Sequence, residues 1–310
     1  MTGKFDLTWS WRATEGMLLV RRFLAGLFCL SAVAVCAPHQ TAAQEPPYFV
    51  AYSHALEEPD NLEVAMKTTT ATPQYGNRFN SGTLEIEYGA KGWLTTELYL
   101  SGQTTSNDST LFTGFRFENR FRPLLREHFI NPVLYVEYED TNFADRSLLE
   151  ITGHATASDY TVPNAIGHPQ VERSIETKLI LSSNVRGWNL SENFIAEKAL
   201  NEHEAWEFGY ALGVSRPLSL VASAKSCVLC RENFAAGLEL YGGLGDANGF
   251  GWHATSQYLG PTLAFTIRKG PTLMFSPNVG LNDNSLGVIY RFKVSYEFQQ
   301  FFRDLHKAVR

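Results

Sequence analysis

The stretch Tyr290-Arg291-Phe292-Lys293-Val294-Ser295-Tyr296-Glu297-Phe298 constrains this chain more than any other. Every second residue is aromatic or Val, and the residues between are polar or charged. Side chains alternate across a strand, so one face is wholly apolar and the other carries ions. A strand of roughly 10 residues with two such faces suits a wall that has lipid on one side and water on the other. The competing reading is the edge strand of a soluble β-sandwich, which needs one buried face and shorter strands.

The same alternation recurs along the chain. Thr83–Ala90 sets Leu84, Ile86 and Tyr88 against Glu85 and Glu87. Trp93–Gln103 sets Leu94, Thr96, Leu98 and Leu100 against Thr95, Glu97, Tyr99 and Ser101. Leu111–Arg122 sets Phe115, Phe117 and Phe121 against Arg116, Glu118, Arg120 and Arg122. Pro132–Thr141 sets Leu134, Val136 and Tyr138 against Tyr135, Glu137 and Glu139. Further strands are expected at 173–183, 188–198, 205–215, 218–225, 233–243, 256–268, 272–281 and 285–298. Leu62–Thr69 and Ser147–His154 alternate weakly. Counting both gives 14 segments and counting neither gives 12. The expected fold is all-β: a closed antiparallel transmembrane β-barrel of about 12–14 strands.

Two details resist this scheme. Counted back from the last strand, the Pro- and Gly-containing loop 155–170 falls on the side of the chain termini, where barrel turns are normally short. Glu192 shares the outward parity of Trp188, and a bulge in that strand would turn it inward.

The first 43 residues read as an export leader. Arg21 and Arg22 precede an apolar run from Phe23 to Cys36, and small residues lead to Ala43, where cleavage is expected. Met17 is the expected start, with 1–16 an upstream mis-start. Residues 44–61 are then a short N-terminal periplasmic segment, 62–298 the barrel, and 299–310 a C-terminal tail. Without the leader the chain keeps 22 basic and 30 acidic residues, a net charge of −8. That acid balance, with no basic cluster, argues against nucleic acid as a partner. Cys227 and Cys230 remain, a pair that can close as a disulfide in an oxidising compartment. A second ligand pair for a zinc site is missing.

Chemistry is sparse. His253 and Ser256 are the only His/Ser neighbours near a strand end, with no third group to orient them, so a lipid hydrolase is the weaker reading. His128, His154, His168 and His203 lack metal-ligand spacing. Asp246 and Asn248 offer too few oxygens for calcium on their own. No cofactor, catalytic residue or metal site is expected. The functional candidates are the inward charges: Glu85, Glu87, Glu97, Arg116, Glu118, Arg120, Arg122, Glu137 and Glu139. Acid, base and acid on successive strands predict ion pairs across the lumen wall. The ladder either braces a narrow barrel or lines a pore for small polar solutes.

The last strand also resembles the sorting signal read by the barrel-assembly machinery of bacterial outer membranes: Ser285, Gly287, Tyr290, Phe292 and a closing Phe298. The 12 residues after Phe298 depart from that signal, which is normally terminal. Longer phrases (Gly76–Phe79, Phe112–Phe121, Glu127–Tyr135, Asn193–Glu197 and Trp206–Tyr210) resemble a family of uncharacterised bacterial outer-membrane β-barrel proteins. The resemblance implies a bacterial outer-membrane, porin-like barrel in contact with lipid, and nothing finer. The expectation is therefore a passive channel or wall protein. The alternatives are a soluble periplasmic β-protein that binds a small apolar ligand, and an outer-membrane lipid-modifying enzyme. Nothing in the residues fixes the oligomeric state.

Overall fold

Strands whose two faces differ this sharply can hide neither face alone, and the chain solves this by closing a ring. The computed structural model describes residues 46–218, 233–267 and 270–308. It contains twelve strands: β1 (Leu62–Ala71), β2 (Phe79–Lys91), β3 (Leu94–Thr105), β4 (Thr110–Phe121), β5 (Asn131–Asn142), β6 (Val171–Val185), β7 (Trp188–Ala199), β8 (Glu207–Pro217), β9 (Phe234–Asp246), β10 (Gln257–Thr266), β11 (Thr272–Gly280) and β12 (Val288–Phe298). Each pairs antiparallel with its sequence neighbours, and β1 closes on β12 with Leu62 opposite Phe298. Closure satisfies every strand edge, which a sheet inside lipid requires.

The alternation fixes which face is which. On β12, Tyr290, Phe292, Val294, Tyr296 and Phe298 point outward and exposed, while Arg291 and Ser295 are buried inside. Outward apolar side chains continue around the ring through Leu84, Leu100, Phe117, Val136, Leu179, Phe194, Leu212, Leu263 and Leu273. Trp93, stacked on Phe121 at one rim, and Trp206 and Trp252 at the other supply the aromatic girdles of a membrane barrel. A soluble β-protein would not expose such a belt.

Turn chemistry sets the register. Arg186 and Gly187 both have positive φ, 52° and 81°, and join Val185 to Trp188 as a two-residue hairpin loop. The start of β1 and the end of β12 lie at this rim. The opposite rim carries the longest connection, residues 143–170, which holds a 3₁₀ turn (Asp159–Thr161) and one helical turn, α1 (Asn164–Gly167).

The structure corrects four expectations. Ser147–His154 is not a strand but part of the 143–170 loop, so that loop lies at the rim away from the termini and the topological conflict disappears. The ring also closes without the expected strand 218–225, because β8 pairs directly with β9; past Leu218 that segment lies outside the described residues. The last strand starts at Val288, leaving Ser285 and Gly287 in the preceding turn. Glu192 is exposed on the outer face in unbroken register with Leu181 and Leu212, with no bulge to turn it inward. It sits near the short-turn rim, where an outward acid costs less than at mid-membrane. The tail contains a helix, α2 (Phe301–Ala308), tied to the segment before β1 by a hydrogen bond from Phe301 N to Asp60 O at 2.7 Å. Phe302 packs edge-on against the outward Tyr88. The expected leader, Cys227 and Cys230 lie outside the described residues.

Phe292 lies on the lipid face midway along β12, so Phe292→Arg should cost about 2–4 kcal/mol. Denaturant unfolding from lipid vesicles measures this, with the loop residue Phe250→Arg as a control expected within about 0.5 kcal/mol. Equal costs at both positions would mean that Phe292 does not face acyl chains.

Candidate functional site: the filled lumen

The inward faces divide the lumen into two halves. Strands β1 to β6 and β12 carry ions: Lys67, Glu85, Glu87, Glu97, Arg116, Glu118, Arg120, Glu137, Glu139, Glu176, Lys178 and Lys293. Strands β8 to β11 carry small and aromatic residues: Gly209, Ala211, Gly213, Ala235, Tyr241, Tyr258, Ala264 and Met274.

The inward charges form separate groups of ion pairs. Arg120 reaches Glu87 on β2 at 2.5 Å, Glu97 on β3, and Glu118 on its own strand at 2.9 Å. Arg116 binds Glu139 on β5 at 2.8 Å and Asp145 at 3.1 Å. Lys293 of β12 closes the ring to Glu85 at 2.9 Å and Glu63 at 2.7 Å. Burial alone would raise the Asp145 carboxyl, but Arg116 and the hydroxyls of Ser147 and Thr113 hold it below its usual range. Glu85, Glu87, Glu97, Arg116, Glu118, Arg120, Glu137 and Glu139 are all buried. Arg122 is not among them: it lies at the rim, partly exposed, 3.6 Å from Glu127. Removing one partner from such a buried network leaves a stranded charge, which is costlier than losing a surface pair.

Residues 46–57, within the segment that precedes β1, lie in the lumen. The Glu239 carboxylate, buried on β9, accepts the backbone N–H groups of Phe49, Val50 and Ala51 at 2.8–3.0 Å. Asn193 on β7 pairs with both backbone groups of Tyr52, at 2.6 and 2.9 Å. The Tyr52 hydroxyl crosses to the charged half and donates to Glu118 at 3.1 Å. His54 contacts Ser182 at 2.8 Å and Glu127 at 3.0 Å. Small residues make the room. A Cβ on Gly213 would lie 2.7 Å from the Tyr48 ring, and one on Gly209 would lie 2.4 Å from the Ile151 carbonyl. A cavity of about 70 Å³ survives between this segment and the charged wall, lined by Tyr48, Tyr52, Lys67, Glu85, Arg120 and Lys293 among others.

The 143–170 loop fills the opposite mouth. Asn164 accepts a bond from Gln103 at 2.9 Å and its backbone N–H donates to Asp108 at 2.8 Å. Gly153 N donates to Phe208 O at 3.1 Å, and Ala157 N to Asn284 O at 2.6 Å. Leu148 and Ile151 meet Phe49, Val50 and Ala51 in one apolar cluster inside the barrel.

Other sequence candidates resolve into structure. Ser256 is buried and its hydroxyl donates to Asn284 O at 2.9 Å, not to His253, whose ring lies against Trp252. Asp246 caps its own turn by accepting Asn248 N and Gly249 N. The Ser285 hydroxyl donates to Gln257 O at 2.9 Å and accepts Gln257 N at 2.8 Å. Sequence reasoning missed Glu239, Asn193 and the lumenal path of 46–57. The signal was present: Gly209, Ala211 and Gly213 alternate inward and cannot fill a barrel of this width themselves.

No protein-family model and no curated protein matches the chain. Solved structures do. An outer membrane channel from Pseudomonas putida F1 is 12% identical with a TM-score of 0.48, covering 84% of this chain and 100% of that one. The KdgM porin in complex with disordered oligogalacturonate is 7% identical with a TM-score of 0.46, covering 77% and 99%. The NanC porin is 11% identical with a TM-score of 0.44, covering 75% and 98%. The chain is a transmembrane β-barrel. That statement rests on its own closed ring, apolar belt and ionised interior.

Two outcomes follow. Glu239→Ala leaves three N–H donors without their acceptor, each costing about 1–3 kcal/mol if it stays buried. Protease added to the folded variant should cut within 46–57 while the strands stay intact, and the parent should resist; equal resistance would show that Glu239 does not hold the segment. Burial lowers the His54 pKa against the pull of Glu127, with Arg122 adding to the lowering. Docking therefore favours the neutral ring over the charged one, so it weakens as pH falls below the undocked pKa of about 6.5. Protease protection of 46–57 should fall between about pH 8 and pH 5, and His54→Asn should flatten that dependence.

Proposed function

We propose that this chain is a porin-like passive channel of the bacterial outer membrane, closed at rest by its own N-terminal segment. Small polar solutes, cations preferentially, pass along the acid-rich wall when that segment yields. The observation that carries this reading is the mode of closure. Residues 46–57 are held by side chains, with the Glu239 carboxylate taking three of their backbone N–H groups, rather than by a strand of the sheet. Acid residues outnumber bases along the wall they cover, which favours cations. The strand order supports the membrane location, and the porin neighbours are barrels of similar plan.

No enzymatic role is proposed. Ser256 is committed to a carbonyl, and among the described residues it has no neighbouring base. The second reading is a wall protein whose lumen never opens, favoured by the connected ion pairs around Arg116 and Arg120. In either case the partners are outer-membrane lipid and, through β12, the assembly machinery.

Planar-bilayer recording separates the two. The mature chain should show rare, small openings, and Glu239→Ala should show frequent cation-selective steps. Silence from both proteins at every voltage would leave only the wall role.

A further inference from the structure

One group of lumenal acids gathers toward the long-loop rim. One carboxylate oxygen each from Glu137 and Glu139 on β5, Glu150 in the 143–170 loop and Glu176 on β6 lie within 4.8 Å of one another. Glu137 is 1% exposed and Glu176 0%. Two cations reach the group. Arg116 lies 2.8 Å from Glu139 and 4.0 Å from Glu137, but also serves Asp145. Lys178 lies 3.1 Å from Glu150 and 2.8 Å from Glu176. Two positive charges thus face five carboxylates.

The deficit shows in the hydrogen bonding. Both oxygens of Glu137 accept no hydrogen bond, and the same holds for Glu176, whose Oε1 meets only the Lys178 ammonium as an ion pair. Glu137 is thus a buried carboxylate aimed into the cluster with no donor to satisfy it. Glu63, Glu85 and Glu87 also converge, but each has a cation against it, Lys67 and Lys293 for Glu85, Lys293 for Glu63, and Arg120, shared with Glu97 and Glu118, for Glu87.

An uncompensated buried carboxylate must be neutralised, by a proton or by a cation. The donors here are all carboxylate oxygens, a set that suits a hard cation and not zinc or copper. Oxygens held about 2.3–2.6 Å from a common centre lie at most about 5 Å apart, the calcium geometry; magnesium demands a tighter, near-ideal octahedron. We propose that Glu137, Glu139, Glu150 and Glu176 bind one calcium ion. Because Glu150 belongs to the loop and the other three to the wall, the ion clamps the 143–170 loop to β5 and β6. This site does not depend on whether the barrel conducts.

The test uses the full mature chain in detergent, stripped with EDTA. Calorimetric titration with calcium chloride should show a single site, and thermal unfolding should shift upward by several degrees in calcium. Magnesium should bind far more weakly. Terbium should bind at the same place and be sensitised by Tyr135, whose ring lies 4.0 Å from the Lys178 ammonium. Glu137→Gln combined with Glu176→Gln should lose the binding heat and the shift while keeping a heat-modifiable gel band. Three results would overturn the proposal: no binding heat at millimolar calcium, unfolding indifferent to calcium, or binding unchanged in the double variant. If that variant does not fold, titration of the parent decides alone. Protons in place of calcium would appear as a parent indifferent to the metal.

Discussion

A closed ring with opposite faces imposes one constraint on everything inside it: each ion turned away from lipid enters a narrow, low-dielectric cylinder and must find a partner there. The chain meets this with groups of ion pairs spread round the wall: Lys293 with Glu85, Arg120 with Glu87, and Arg116 with Glu139. The same alternation that drives Phe292 and Phe117 into lipid drives Arg291 and Glu118 inward. Membrane insertion and lumenal electrostatics are therefore one property of the sequence, seen from two sides.

The other half of the lumen follows a different rule. Its inward residues are too small to meet across the barrel, so two segments from outside the ring occupy the space. Residues 46–57 arrive from the short-turn rim and 143–170 from the long-loop rim, and they meet around Val50 and Ile151. Glu239 is the hinge between the two rules. It is an acid on the apolar half, and it exchanges water for three backbone N–H groups of the N-terminal segment. Backbone donors at such short range compensate a carboxylate well, and they release it without breaking any strand pair. That separation of plug from wall is what makes closure reversible in the proposed channel.

The barrel was legible in the chain because period-two alternation is a local signal. The inward facing of Glu97, Tyr99, Arg116 and Glu137 could be read residue by residue. Strand number was harder, because Ser147–His154 alternates weakly yet lies in a loop, where packing against Arg116 and Thr69 overrides its pattern. The convergence of Glu150 with Glu137, Glu139 and Glu176 was invisible, since it depends on how that loop folds back. The N-terminal segment escaped for a related reason. Its partners Glu239, Asn193 and Ser182 lie 128 to 190 residues away, and no local pattern announces them. Only the run of Gly209, Ala211 and Gly213 hinted at a guest.

The most direct measurement of the central claim places single cysteines, one at a time, along residues 288–298 in a background without the native thiols. Each is labelled with a fluorophore and the protein is folded into vesicles that contain a lipid-borne quencher. The account predicts strong quenching at positions 290, 292, 294, 296 and 298, and weak quenching at 289, 291, 293 and 295. Uniform quenching along the strand, or none at any position, would contradict a barrel wall with lipid on one face and a filled, ionised lumen on the other.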